Sequence, residues 1–155
     1  MMIPPIPMDE IVAFLVQLLN TPSPTGDTEA AMALIQSAVA TLPVTISRTR
    51  KGALVLTWPG EDSHPRALTA HTDTLGAMVR EIKTNGRLKP TSIGGYAWSS
   101  VDGEGCTVVT AEGRQYRGSI LSTKASVHIF GQETRDMERK PENYEVRLDA
   151  PTSNE

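Results

Sequence analysis

The sequence is poor in several things that would have narrowed its function at once. One cysteine, Cys106, excludes an internal disulfide and any thiolate zinc cluster. No apolar run approaches the length of a membrane span. No excess of positive charge exists: 15 Lys and Arg stand against 18 Asp and Glu, for a net charge of -3 and a pI near 5.6. Binding to nucleic acid through phosphate contacts is therefore not expected, and neither is a membrane partner. Met1 to Pro7 carries three prolines and no basic stretch, so it does not read as a signal peptide. Internal repeats and low-complexity segments are lacking too. What remains is a soluble, reduced, cytoplasmic protein, with 39% hydrophobic residues and enough length for a true core.

The apolar pattern then divides the chain. Ile11, Phe14, Leu15, Leu18 and Leu19 recur at helical spacing, with Asp9 and Glu10 where the helix dipole favours carboxylates. Pro22, Pro24 and Gly26 end that helix. Asp27 or Thr28 caps a second one, whose stripe is Ala31, Leu34, Ile35, Ala38 and Leu42. Residues 44–47 and 53–58 read as a hairpin turning at Gly52, and 66–70 as a third strand that delivers His71 and Asp73 at its end. Beyond residue 75 the pattern becomes all-β. Strands are expected at 77–82, 87–93, 105–110, 115–121, 126–130 and 144–148, with 132–143 as a long charged loop. Such spacing suggests a small barrel or sandwich.

The fold class expected is thus α/β followed by β, with domains at 1–73 and 74–155. Two helices and three strands are too few to cover both faces of an α/β sheet, so the chain reads as the front part of something longer.

Chemistry gathers at Ala70-His71-Thr72-Asp73-Thr74-Leu75-Gly76. Strand side chains two apart share a face, so His71 and Asp73 can stand side by side. An imidazole with one nitrogen free is a good zinc or cobalt ligand, and a neighbouring carboxylate fixes its tautomer. A histidine satisfied by a local hydrogen bond is the plainer reading of that spacing, since a metal site needs three or four ligands.

The surrounding motifs add weight. The His71 to Val79 run, Pro22-Ser23-Pro24-Thr25-Gly26, Ile93-Gly94-Gly95, Tyr116-Arg117-Gly118, Lys124-Ala125-Ser126-Val127-His128 and Glu145-Val146-Arg147-Leu148-Asp149 occur in one order. Together they resemble the tetrahedral and glutamyl aminopeptidase family of dinuclear metallopeptidases, some of whose members have carried endoglucanase or cellulase labels. The resemblance runs from about residue 9 to 149. It implies an α/β catalytic domain interrupted by a β-barrel-like insertion that mediates dimer contacts, with dimers assembling into a dodecamer. It also implies hydrolysis of N-terminal residues from peptides through two divalent ions, zinc or cobalt. On that resemblance His71 is a terminal metal ligand, and Asp73 is the acid of the catalytic site that orients it without ligating. The family's other ligands and its glutamate base follow the insertion and are not in this sequence, so little or no metal binding and activity is expected of residues 1–155 alone.

Two other readings compete with the aminopeptidase. Related dinuclear-zinc deacylases and carboxypeptidases also place His-x-Asp at a strand end. A non-catalytic oligomerisation module would instead leave the site idle. Elsewhere, His64 reads as surface, His128 as a strand residue serving packing or an interface, and Cys106 as a structural thiol. Tyr96 and Trp98 suit either a core or an interface.

Overall fold

The computed structural model describes residues 5–60 and 64–150. They form four helices and two sheets and divide into two compact units, with the boundary between Thr74 and Leu75.

In the first unit, helix α1 (Met8–Leu19) begins after Pro7 and carries Asp9 and Glu10 in its first turn. It buries none of its residues: Ile11, Val12, Leu15, Val16 and Leu19 are all exposed. Helix α2 (Glu29–Ala38) buries Ala31. Thr28 occupies its N-cap position but makes no side-chain cap bond, contrary to expectation. Its backbone (φ -108°, ψ 3°) lies outside the extended region from which a cap side chain reaches back to the first turn. Strands β1 (Thr45–Arg48) and β2 (Leu54–Thr57) pair antiparallel, as the alternation predicts, and Gly52 turns the hairpin at φ +86°. Arg48 donates to the Glu29 carboxylate and, at 3.3 Å, to Gln36 Oε1, tying the hairpin to α2.

The third strand does not form. Residues 66–70 are exposed and belong to no ladder, and Leu68 is fully open to solvent. A strand is a property of a pair, and its backbone groups need a neighbour to accept and donate. Residues 66–70 join no ladder among the described residues; the first bridge comes at Thr74, parallel to Pro24.

The second unit is a five-stranded antiparallel sheet in the order β3-β4-β7-β6-β5. Its strands are β3 (Gly76–Ile82), β4 (Leu88–Ile93), β5 (Gly105–Val109), β6 (Gln115–Ser122) and β7 (Tyr144–Leu148). The sheet curls as a half-barrel, in keeping with the barrel-like unit expected, with β3 and β5 at its edges among the described residues. Register slips between Val79 and Glu81, which places a bulge in edge strand β3. Gly118 is required where β6 passes β7, because a Cβ there would meet the Arg147 carbonyl at 2.8 Å.

Its core is aromatic. Trp98 and Tyr144 are buried with ring centroids 5.2 Å apart, and Tyr96 adds a ring 5.5 Å from Trp98. Polar tips find partners: Trp98 Nε1 donates to Ser92 Oγ and Tyr96 Oη to the Gly76 carbonyl. Leu88 and Val146 are buried alongside them.

Residues 126–130 correct a second expectation. They form helix α3 (Val127–Phe130), followed by α4 (Gln132–Asp136) inside the stretch expected as a loop. Bonds from Phe130 N–H to the Ser126 carbonyl and from Gly131 N–H to the Val127 carbonyl close the turn of α3. Strands β6 and β7 pair directly with each other from Ser122↔Tyr144 onward, so the segment between them is a connection outside that ladder rather than a strand inserted in it. Tertiary context overrides the β-branched residues here. His128 is consequently exposed on a short helix, not packed on a strand. Among the described residues no helix is long and apolar enough to cross a membrane.

Candidate functional site

Two segments of the first unit meet at the His-x-Asp motif. After α1, Pro22 and Pro24 deny the chain a helical continuation and fix two φ angles. Asp27 N–H closes a turn on the Pro24 carbonyl at 2.8 Å. The Thr74 backbone N–H donates to the Ser23 carbonyl at 2.7 Å, and Pro24 bridges Thr74 in parallel. Ser23 is buried beneath this junction at 1% exposure.

The clamp sets Asp73 between two partners. Thr25 Oγ1 donates to Asp73 Oδ2 at 2.7 Å, while Asp73 Oδ1 lies 3.1 Å from His71 Nδ1. The Thr25 hydroxyl above all holds the Asp73 carboxyl below the usual carboxylate range; desolvation opposes it, and the hydrogen bond and charge of a protonated His71 add smaller lowering effects. An ionised carboxylate can only accept, so Nδ1 carries the proton. In the neutral ring Nε2 of His71 is then a lone-pair donor, on a side chain that is 85% exposed. Such an atom is what a zinc or cobalt ion takes from a histidine, and the carboxylate behind it is the usual orienting partner.

A donor and its orienting carboxylate fit one arm of a metal centre. Among the described residues no group of three or more His, Cys, Asp and Glu side chains could hold an ion. The structure therefore brings His71 and Asp73 together, as their spacing predicts, without a full ligand set around them. Thr25 is the partner that residue spacing missed. It lies 48 residues from Asp73, inside the Pro22 to Gly26 motif, which was the available signal. Two hydroxyl oxygens flanking the contact, Ser23 Oγ and Thr72 Oγ1, are buried without a hydrogen-bond partner among the described residues.

Other candidates fall away. Cys106 is half-buried, and burial, with the Asp149 carboxylate, pushes its thiol up, which suits a structural role. His64 and His128 are exposed. Trp98 belongs to the core. A groove of 390 Å³ in the second unit is lined mainly by apolar residues such as Val79, Ile82, Leu88, Val109 and Leu148, with Thr110 and Tyr116 but no carboxylate, imidazole or thiol.

Known proteins resemble this chain in sequence and in fold. The chain is 47% identical over 136 residues to YhfE of Bacillus subtilis (strain 168), a protein named as an aminopeptidase; the match takes in 87% of this chain and 39% of that one. A TET aminopeptidase from the marine sediment archaeon Thaumarchaeota archaeon SCGC AB-539-E09 has the same fold, with a TM-score of 0.83 at 22% identity over 94% of this chain and 40% of its own. The TET1 peptidase of Pyrococcus horikoshii, described as assembling into a tetrahedron or a large octahedral shell, matches with a TM-score of 0.75 at 21% identity over 92% of this chain and 42% of its own. The chain spans about two fifths of the length of these relatives. The family model of the M42 glutamyl aminopeptidases matches residues 52–155, and the chain belongs to that family.

Proposed function

We propose that this chain is the His-x-Asp portion of a metal-dependent aminopeptidase that removes N-terminal residues from peptides. The observation that carries the reading is the Asp73–His71 pair, which leaves Nε2 of an exposed imidazole as a donor. His71 would hold one ion of a zinc or cobalt pair, and Asp73 would keep the ring in its ligating tautomer. When bound, such a pair supplies Lewis-acid polarisation of the scissile carbonyl and acidification of the attacking water. Membership of a glutamyl aminopeptidase family supports this reading over a deacylase or carboxypeptidase.

One ligand with its orienting acid is a small fraction of a two-ion donor set. Residues 1–155 alone are therefore proposed to hold metal weakly and to hydrolyse peptides poorly or not at all. Assembly through residues 74–155 into a dimer, and of dimers into a dodecamer, belongs to the same reading. Exposed Met78, Ile82, Val109 and Ile129 support it, as does the shell described for the Pyrococcus horikoshii relative. A cytoplasmic location fits the single free thiol.

The test is zinc titration of the 155-residue chain, followed by NMR of its histidine rings, with metal analysis and an aminoacyl-p-nitroanilide assay alongside. Zinc should perturb the His71 ring and be lost on dialysis, Asp73→Asn should weaken that response about 10-fold or more, and turnover should be absent. An unresponsive His71 would refute the ligand assignment. Two tightly held ions with turnover would refute the partial-site reading.

A further inference from the structure

We propose that Thr25 is a positioning residue of the metal site, fixing through Asp73 which nitrogen of His71 is free to ligate. The proposal rests on the metal reading of His71 and adds to it a role for the Pro22 to Gly26 motif.

The geometry carries the argument. The side chain of Asp73 is 39% exposed, so water competes for both of its oxygens and its carboxylate has room to turn. Thr25 Oγ1 holds Oδ2 at 2.7 Å, which presents Oδ1 to His71 Nδ1. The hydroxyl is itself placed by a stiff loop. Pro22 and Pro24 fix two backbone angles, the loop closes from Asp27 N–H to the Pro24 carbonyl, and Ser23 anchors it, buried, on the Thr74 N–H. Loop, hydroxyl, carboxylate and imidazole thus form one relay running outward to Nε2.

A threonine that merely tied down the loop would bond equally well to any acceptor. Here the bond ends on the one carboxylate that sets the tautomer of the candidate ligand. Which ring nitrogen carries the proton is decided by the hydrogen bond its partner makes. Loosening Asp73 therefore releases the ring to its other tautomer, with the proton on Nε2 and no lone pair there for a metal. Serine preserves the donor; valine preserves the shape and removes it.

The experiment compares the 155-residue chain with Thr25→Val and Thr25→Ser by long-range proton–nitrogen correlation of the His71 ring at alkaline pH, without metal. Amide spectra confirm that each variant is folded. The native chain should carry the proton on Nδ1. Thr25→Val should shift the tautomer ratio about fivefold toward the Nε2–H form, the effect of one lost hydrogen bond, and Thr25→Ser should restore it. An unchanged ratio in Thr25→Val would overturn the proposal. So would a shift that serine fails to rescue. Zinc titration of the same samples separates the two readings: a tautomer shift with a His71 ring that ignores zinc supports the relay and refutes the metal assignment.

Discussion

Arg87 meets Glu145 at 2.7 Å, and Lys83 reaches the other carboxylate oxygen at the same distance. Glu145 lies in the middle strand of the sheet with a side chain only 9% exposed, while both cations are about one-third exposed. Removing the carboxylate leaves two like charges facing each other, though both can rehydrate. Glu145→Gln should therefore lower stability by about 1–3 kcal/mol, read as a lower urea midpoint with an unchanged slope. An unaltered midpoint would show that the clamp is energetically neutral.

The two tryptophans should behave as opposites. Trp98 is 4% exposed between Tyr96 and Tyr144, whereas Trp58 is 61% exposed. Iodide should quench the Trp58 emission and leave Trp98 largely protected, which Trp58→Phe will isolate. Trp98→Ala should cost about 3–5 kcal/mol, since it empties the aromatic centre of the second unit.

Cys106 should react slowly. Its thiol is pushed up from 9.0, chiefly by burial and further by the Asp149 carboxylate. Disulfide reagents act on thiolate, so at pH 8 the folded protein should react at least about 10-fold more slowly than the chain in urea. The same shift has a stability consequence. The neutral thiol is favoured in the folded state, so its contribution is complete below pH 9 and is lost as the pH climbs through the raised value.

Glu133 gives the acid-side counterpart. Its hydrogen bond with Lys124, and the charge of that lysine, hold its carboxyl below 4.5. The pair's contribution is present above 4.5 and disappears as the pH falls through the lowered value. Carbon NMR of the carboxyl should show a low midpoint that returns toward 4.5 in Lys124→Met. High salt should have the same effect, because the pair is exposed and screened.

Local patterns carried most of the fold. Helix α1, helix α2 and the hairpin at Gly52 follow from apolar spacing and from the residues that interrupt it. Five strands of the second unit fall within a residue or so of where alternation puts them. The two failures share a cause. Residues 66–70 carry strand-like side chains without a ladder partner, and 126–130 lie between two strands that already pair with each other. Neither fact is local.

The site divides the same way. His71 and Asp73 are two residues apart, so their meeting could be read from spacing alone. Thr25 reaches Asp73 across 48 residues, through a proline-stiffened loop and one backbone clamp. No periodicity encodes such a contact.

The strand order has a consequence for how the protein is born. β7 lies between β4 and β6 in the sheet but is the last of its strands to be synthesised. The hairpins β3–β4 and β5–β6 are complete long before the ribosome delivers residue 144, yet neither pairs with the other. An isolated hairpin is at best marginally stable in water. The nascent second unit must therefore wait, with both hairpins unsecured, for one five-residue strand to zip them together.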